Sequence, residues 1–304
     1  MRVIQFEKYG APEVLHLAEV DAPLPNSGQI QVRVAAIGVN PADFKWRQGM
    51  FRERVPLQLP HVVGYDVAGT VSAVGAGVTS FRLKDRVVAS VRSGYAELAI
   101  ADEKACARLP DGFDFARAAS LPCAALTGVQ MIEDAVRPRK GQTVLITGAT
   151  GAVGRFAVHA ALGLGARVVA AVRPVYFEEA RQLGAHEVVS LEGDNREALS
   201  FDHVADTVGG PAVAQLCRHL GTGGSIITVS TTPIDPTGLS ATPTFFAYRT
   251  EGARLGQIIE EVAAGAVEMP IALRLPLASA SEAHRLLESG GLRGKIILEN
   301  RQVT

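Results

Sequence analysis

The sequence predicts an α/β protein that combines a barrel-like β-domain with a second domain built on a parallel sheet. Up to about residue 110, many short strands alternate with turns that carry Gly or Pro, a pattern typical of barrels. From Thr143 onward, apolar strands alternate with helices, which indicates a parallel sheet that is buried on both faces. The 304 residues provide enough chain for two domains of about 150 residues each.

Composition argues against several classes of protein. Hydrophobic residues make up 47% of the chain and charged residues 20%, which is an ordinary globular balance. The 30 basic and 31 acidic residues leave a net charge of −1, which argues against a nucleic-acid binder or a polybasic membrane anchor. Because there is no long apolar run and no signal-peptide pattern at the start, we expect a cytoplasmic protein without membrane contact. The cysteines (Cys106, Cys123 and Cys217) form no CxxC motif, so we expect reduced thiols.

The β-rich part begins with a strand and turn over residues 2–10. Gln29–Ile37 alternates polar and apolar residues, which predicts a strand with one buried face. Further strands are expected over residues 67–78, 86–91, Leu98–Ile100 and Ala105–Leu109, and a helix from Phe115 to about Ala135.

In the second part of the chain, predicted strands and helices alternate regularly. This pattern predicts strands at Thr143–Thr147, Arg167–Val172, Glu187–Ser190, His203–Thr207 and Ser225–Ser230, and helices at Gly154–Leu164, Tyr176–Leu183, Ala212–His219 and Arg254–Ala264. The tail predicts strands at Ala272–Leu277 and Lys295–Leu298 around a helix at Ser279–Glu288. Residues 231–243 should form a loop at the carboxyl end of the sheet, because Pro, Thr and Gly dominate there.

The most specific local motif is VLITGATGAVGRFAVHAALGLGA at residues 144–166, which combines an apolar strand, a glycine turn and a helix. Glycine permits a tight turn and a close approach to a pyrophosphate, while the N–H groups at the helix start point at the anion. We therefore predict a dinucleotide site; a structural turn that binds nothing is the alternative. The residues assigned to cofactor binding here are Gly148, Ala149, Thr150, Gly151, Ala152, Val153 and Gly154.

The end of the next strand indicates which dinucleotide binds. Many NAD-binding proteins carry an acidic residue there, which grips the ribose 2′-hydroxyl. Here the strand ends in VVAAVRP, with no acidic residue and with Arg173 where a 2′-phosphate would lie. This favours NADPH as cofactor, although Arg173 could also be an ordinary surface residue.

Several segments, in order along the chain, resemble the medium-chain dehydrogenase/reductase superfamily, and most closely its zinc-independent, zeta-crystallin-like quinone oxidoreductases. They are GVNPADFKWRQG (38–49), HVVGYDVAGTVSAVGAGVTSFRLKDRV (61–87), GYAELAIA (94–101), LPCAALTGVQMI (121–132) and GLRGKIIL (291–298). A short-chain dehydrogenase is disfavoured, because the glycine motif lies in mid-chain and no tyrosine has a lysine four residues later. The resemblance implies a GroES-like β-barrel catalytic domain over residues 1–115, completed by 266–304, around a Rossmann domain with a doubly wound parallel sheet over 116–265.

The resemblance also implies the chemistry. We expect transfer of hydride from NADPH to a quinone or other electron-poor small molecule, with no metal. The zinc enzymes of this superfamily have Cys and His ligands where this chain has Asn40 and Tyr65, and zinc prefers thiolate and imidazole. An enone or alkenal reductase and a non-catalytic NADPH-binding protein are the alternatives. A homodimer is expected, formed through an edge strand within residues 243–255.

Four residues outside the glycine turn are assigned from the resemblance. Asn40 and Asp43 are the candidate catalytic residues, with Asn40 also a contact to the cofactor; alternatively, both bond only to the loop backbone. Thr127 matches a threonine near the nicotinamide carboxamide, or is a helix residue that bonds to its own backbone. Lys295 matches a segment that closes against the cofactor, or is a surface lysine. Trp46 and Phe51 could form a stacking wall, or could pack into the core.

Overall fold

The structure is a computed structural model, and it describes residues 1–192 and 199–300. The chain divides into two compact units. The first, here called the barrel unit, comprises Met1–Cys123 and the chain from Thr250 onward. The second, the nucleotide unit, comprises Ala124–Arg249. These limits differ from the expected ones at 115/116 and 265/266.

The barrel unit contains ten strands and four α-helices among its described residues. The strands are β1 (Arg2–Phe6), β2 (His16–Glu19), β3 (Gln29–Gly38), β4 (His61–Val62), β5 (Asp66–Val74), β6 (Arg86–Ser90), β7 (Leu98–Asp102), β8 (Cys106–Arg108), β15 (Ile271–Pro276) and β16 (Lys295–Glu299). The helices are α1 (Pro41–Arg47), α2 (Phe115–Ala119), α7 (Gly252–Ala263) and α8 (Ala280–Ser289).

Strand β3 is the centre of the larger sheet in this unit. It pairs antiparallel with β5, β7 and β16, and the order along the sheet is β15-β16-β3-β5-β6-β8. Its residues Ile30, Val32 and Val34 are buried, because every second side chain of a strand points to the same face. A smaller sheet has the order β2-β1-β4.

Two close backbone approaches explain why helices α2 and α7 pack with the barrel unit. A Cβ atom at Gly252 would lie 2.2 Å from the carbonyl oxygen of Cys106 in β8. A Cβ atom at Gly38 would lie 2.1 Å from the carbonyl oxygen of Ala119 in α2. Only glycine fits at both positions. The expected limits assigned these helices to the other domain, because the sequence pattern does not show such contacts.

In its described residues, the nucleotide unit is a six-stranded parallel sheet with helices between its strands. The strands are β9 (Thr143–Thr147), β10 (Arg167–Val172), β11 (Glu187–Ser190), β12 (Phe201–Asp206), β13 (Leu220–Thr228) and β14 (Thr244–Phe245). The α-helices are α4 (Ala152–Gly163), α5 (Phe177–Gln182) and α6 (Gly210–Cys217), and α3 (Pro122–Gln130) leads into a π-helical turn at Met131–Val136. The expected single helix from 115 to 135 is therefore broken before Pro122, because proline disfavours helical geometry in the preceding residue.

The strand order in the nucleotide unit is β11-β10-β9-β12-β13-β14. Strand β9 comes first in the chain and lies centrally, between β10 and β12, so the direction of winding reverses there. In open α/β sheets, ligands bind outside the carboxyl ends of the strands at such a reversal. The predicted doubly wound parallel sheet is thus confirmed, with the glycine turn at its reversal point. No helix of the described residues is long and apolar enough to cross a membrane.

Candidate active site

The glycine turn joins β9 to α4 and has the geometry of an anion cradle. Gly148 has φ +61°, and a Cβ atom there would lie 2.5 Å from Oγ1 of Thr207. A Cβ atom at Gly154 would lie 2.1 Å from the carbonyl oxygen of Gly148. Gly151 is the N-cap of α4 and has no side chain to cap it, which leaves the N–H groups of the first turn for an anion. The turn therefore fits a pyrophosphate.

Buried Asp206 fastens the strand ends around this turn. Its Oδ1 accepts from Oγ1 of Thr147 at 2.6 Å, and its Oδ2 accepts from Oγ1 of Thr228 at 2.6 Å. The N–H groups of Val208 and Gly209 also donate to Oδ1. One carboxylate thus joins the carboxyl ends of β9, β12 and β13. These bonds fix the end of the sheet from which the glycine turn extends.

A cavity of about 470 Å³ opens beside the glycine turn. Its lining includes Gly148, Thr150, Gly151, Val172, Arg173, Tyr176, Leu191, Glu192, Thr207, Val208 and Ala212. The Arg173 guanidinium donates to the Tyr176 hydroxyl at 3.2 Å, and its Cζ lies 5.1 Å from the centre of the Tyr176 ring. Arg173 therefore faces the same cavity as the glycine turn, and Tyr176 orients its side chain. The volume suits a mononucleotide-sized group.

An ion pair lies behind the glycine turn. Nη2 of Arg155, in α4, donates to the carbonyl oxygen of Thr150 at 2.8 Å and to Oε1 of Glu179 at 2.9 Å. Glu178, the neighbouring acid, pairs with Arg181 at 3.5 Å on the exposed side of α5. The two acids that follow Arg173 thus point in different directions.

In the barrel unit, Asn40 is held from three sides. Its Nδ2 donates to Oδ2 of Asp66 at 2.8 Å and to the carbonyl of Gly38 at 3.2 Å, and its Oδ1 accepts from Nζ of Lys295 at 2.5 Å. These partners assign the amide orientation without ambiguity, because the acceptors face the nitrogen and the ammonium faces the oxygen. The structure thus brings together two predicted residues, Asn40 and Lys295, and adds Asp66.

Asp43 is fully buried in α1 and bonds to the backbone of Asn40. Its Oδ2 accepts from the Asn40 N–H at 2.8 Å, which is the carboxylate half of a capping box. The same oxygen accepts from the Tyr95 hydroxyl at 3.0 Å, and that hydroxyl lies 3.0 Å from Nε2 of buried His284. The expected alternative, a bond to the loop backbone, is therefore present for Asp43, whereas the Asn40 side chain makes further contacts.

Burial shifts the proton affinity of this cluster. It raises the pKa of Asp43 to about 7, with help from the charge of Asp66. Burial also raises the pKa of Asp66 to about 6, against the opposing charge of Lys295. The pKa of His284 falls to about 3, because burial and then Arg47 disfavour its charged form. His284 is accordingly neutral, and the carboxyls are the groups that titrate near neutral pH.

The remaining predicted residues lie as follows. Thr127 is buried in α3 of the nucleotide unit. Tyr65 directly precedes β5, and burial raises its pKa, with Asp43 and then Cys123 adding to the effect. The rings of Trp46 and Phe51 are 4.9 Å apart, and Trp46 packs against the core of the barrel unit, as the packing alternative expected. In the described part of the chain, no group of three or more His, Cys, Asp or Glu could hold a metal ion.

Sequence reasoning missed several residues of these clusters. Asp66 was not singled out, although an acid at the start of an apolar strand signals a buried partner. Asp206, in the same way, ends an apolar strand, and Arg155 interrupts the apolar face of α4. Tyr95 and His284 carried no signal, because they are 189 residues apart.

Comparison with known proteins gives two matches to family models. Residues 26–113 match the alcohol dehydrogenase GroES-like domain, and residues 183–298 match the zinc-binding dehydrogenase model. The first confirms the GroES-like fold expected for the barrel unit. The second covers neither Asn40 nor Tyr65, so it does not bear on the positions at which zinc ligands are expected.

Full-length relatives agree with these matches. The quinone oxidoreductase of Rattus norvegicus is 31% identical, over 98% of this chain and 97% of its own. A solved quinone oxidoreductase from Coxiella burnetii is 26% identical with a TM-score of 0.88, and covers 99% of both chains. That of Escherichia coli, complexed with NADPH, is 27% identical with a TM-score of 0.87, over 98% of this chain and 100% of its own. The chain therefore belongs to the quinone oxidoreductase family of the medium-chain dehydrogenases/reductases.

Proposed function

We propose that the protein is an NADPH-dependent oxidoreductase that reduces a quinone or another electron-poor acceptor without a metal. The observation that carries this proposal is the cavity that holds Arg173 and the glycine turn together. Relatives named quinone oxidoreductase, one of them solved with NADPH, support the same reading.

The described residues fit NADPH. The turn excludes a side chain at Gly148 and at Gly154 and leaves backbone N–H groups for the pyrophosphate. Arg173 supplies a permanent positive charge for a 2′-phosphate. From the resemblance, we assign Asn40, Thr127 and Lys295 to cofactor binding. When bound, NADPH supplies a hydride at its nicotinamide ring.

In this proposal, the polar residues around Asn40 in the barrel unit hold one another in position and take no part in bond making or breaking. Asp66, Lys295 and the Gly38 carbonyl fix the Asn40 amide in one rotamer and engage both of its N–H groups, so its oxygen is the atom left to contact a ligand. Asp43 touches Asn40 only through its backbone and acts as a positioning residue in this proposal. Since the pKa of Asp43 lies at about 7, a proton resides on its carboxyl through part of the neutral range.

Two further properties belong to this proposal. A homodimer through β14 is supported by Phe245, which is 59% exposed on a two-residue strand at the edge of the sheet. A cytoplasmic location stays a prediction from the sequence.

The test is NADPH oxidation by the purified protein against a panel of quinones, enones and aldehydes. We expect turnover with quinones, and a loss of up to about 10² in kcat/KM for Asn40→Ala, because the amide holds Asp66 and Lys295 in place and a misplacement of about 1 Å near a site can cost that much. Asn26→Ala is the matched control, because Asn26 is exposed in a loop of the same unit. Turnover with enones alone would assign the protein to the alternative reductase class.

A further inference from the structure

Three buried side chains of the barrel unit form a hydrogen-bonded chain that ends on Asn40. Oδ2 of Asp43, in α1, accepts from the Asn40 N–H at 2.8 Å and from the Tyr95 hydroxyl at 3.0 Å. That hydroxyl also lies 3.0 Å from Nε2 of His284, in α8. Asp43, Tyr95 and His284 have no exposed surface, so these groups depend on one another for hydrogen bonds.

The protons of this chain have two consistent arrangements. Burial lowers the pKa of His284 to about 3, so its ring is neutral and carries one N–H, on Nδ1 or on Nε2. When Asp43 is ionised, its carboxylate only accepts, and Tyr95 donates to it. The Tyr95 oxygen then accepts from His284, whose proton must be on Nε2. Nδ1 of His284, which is buried without a partner in the described part of the chain, keeps only a lone pair.

Protonation of Asp43 favours the opposite arrangement. Oδ1 of Asp43 has no hydrogen-bond partner among the described residues, whereas Oδ2 faces the Tyr95 oxygen. A proton on Oδ2 is donated to Tyr95, Tyr95 donates to Nε2, and the histidine proton lies on Nδ1. This arrangement leaves an imidazole N–H without an acceptor instead of a carboxyl O–H, which is the stronger donor. In sum, one proton enters at Nδ1, the Nε2 proton passes to Tyr95, and the Tyr95 proton passes to Asp43.

The direction of the chain decides how firmly Asn40 is held. A hydrogen bond to an ionised carboxylate is about twice as strong as one between neutral groups. Once Oδ2 of Asp43 carries a proton, the bond from the Asn40 N–H therefore weakens. This bond is half of the capping box at the start of α1, so its weakening loosens the residue that the proposed function assigns to cofactor binding.

Other charged and titratable groups act on the chain from the elements around it. They are Tyr65, which directly precedes β5, Asp66 in β5, Lys295 in β16, and Arg47 in α1 with its partner Glu288 in α8. Burial raises the pKa of Asp66 to about 6, so its titration overlaps that of Asp43. Asp66 bonds to the side chain of Asn40 and not to Tyr95, so substitution of Asp43 separates the two acids.

We propose that Tyr95 and His284 are positioning residues that couple proton uptake by Asp43 to a loosening of Asn40. They act through Asp43 and not on a ligand. The effect on the reaction rests on the proposed function, whereas the reversal of the chain depends on no ligand. The two are therefore measured separately.

The first measurement reads the position of the proton on His284. Long-range proton–nitrogen NMR spectra of the full chain, isotopically labelled at histidine, distinguish the two tautomers. As the pH falls through the pKa of Asp43, about 7, we expect a change from Nε2–H to Nδ1–H. Asp43→Asn, which takes up no proton, should keep one tautomer throughout. His284→Gln assigns the signals, and exposed His16 on β2 is the internal control.

The second measurement removes the middle of the chain. Tyr95→Phe keeps the ring but deprives the Asp43 carboxylate of a donor, so its titration should move up by about 1 to 2 pH units. The Asn40 amide proton reports this titration, because it donates to the same oxygen. Tyr9→Phe is the matched control, since its hydroxyl accepts from the Leu57 N–H at 3.2 Å in the same unit. A merely structural role of Tyr95 would lower stability at every pH without moving the midpoint.

Turnover tests the consequence for the reaction. In wild type and in Tyr9→Phe, kcat/KM for NADPH oxidation by a quinone should fall as the pH falls through about 7. In Tyr95→Phe, the midpoint of this profile should move up with that of Asp43. A protein in which His284 changes tautomer but no acceptor is reduced keeps the chain and refutes the proposed function instead.

Three outcomes overturn the proposed coupling. One is a His284 tautomer that stays the same across this pH range in wild type. Another is a change of tautomer that persists in Asp43→Asn, which would assign it to a different group such as Asp66. The third is an unmoved midpoint in a folded Tyr95→Phe protein. If Tyr95→Phe fails to fold, the spectra of wild type and of Asp43→Asn still decide.

Discussion

Replacing Arg173 by Ala should move the cofactor preference from NADPH toward NADH. The Arg173 guanidinium faces the cavity beside the glycine turn, and Tyr176 holds it with a hydrogen bond of 3.2 Å and with its ring. A charge-assisted hydrogen bond is worth about 1.5–3 kcal/mol. Since about 1.4 kcal/mol is tenfold in affinity, NADPH binding should weaken about 10- to 150-fold. NADH binding should change little, because NADH has no phosphate for Arg173 to contact.

The assay for Arg173 is calorimetric titration of both cofactors into wild type and variant at one fixed salt concentration. Arg181→Ala is the control, because Arg181 is an exposed arginine eight residues further on that pairs with Glu178. If Arg173→Ala kept its preference for NADPH over NADH and Arg181→Ala lost it, the wrong arginine would have been assigned. Raising the salt concentration should reduce the effect of Arg173→Ala, since counterions screen an open cavity.

Four further predictions concern the turn, the buried acid, metal and assembly. Gly154→Val should abolish measurable NADPH binding, because its Cβ atom would lie 2.1 Å from a carbonyl oxygen, whereas Gly163→Ala, with open space around it, should bind normally in the same titration. The raised pKa of Asp43, about 7 against about 3.9 in an unfolded chain, means that its contribution to stability is full below pH ~4 and is lost as pH rises through 7. In wild type, the free energy of unfolding should therefore fall between those pH values, by at most ~1.4 kcal/mol per pH unit from this group. Denaturant titrations should show a smaller fall in Asp43→Asn, and an unchanged fall in the control Asp111→Asn, whose residue is exposed. Elemental analysis should find no stoichiometric zinc, and a chelator should leave turnover intact; one equivalent of zinc whose removal abolishes activity would contradict this. Phe245→Asp should convert a dimer into a monomer in light scattering at micromolar concentration, and a wild-type monomer under those conditions would contradict the dimer.

Local patterns in the sequence were enough to predict the nucleotide unit. Strands Thr143–Thr147 and Arg167–Val172 have the predicted bounds, because parallel strands buried on both faces are continuously apolar. Glycine spacing predicted the turn between them, since steric exclusion at Gly148 and Gly154 is a property of the local backbone. Arg173 was found in the same way, from its place at the end of one strand.

The polar cluster around Asn40 was not predictable in this detail. Its partners Asp66 and Lys295 are 26 and 255 residues away, so only the folded sheet brings β5 and β16 beside the start of α1. Lys295 is expected to belong to a segment that closes against the cofactor, and the sequence does not show that its ammonium donates to the Asn40 amide. No periodicity encodes such a contact, because it depends on which strands pair. The limits of the two compact units differ from the expected domain limits for the same reason.

The most direct test of the account is a single-turnover measurement. The purified protein is loaded with one equivalent of NADPH and mixed rapidly with a quinone, while the absorbance of the reduced nicotinamide and the formation of quinol are followed together. The account predicts that the reduced nicotinamide disappears in step with quinol, one for one, without added metal. A protein that retains its bound NADPH unchanged in the presence of every quinone, enone and aldehyde offered would contradict the account and would instead be a non-catalytic NADPH binder.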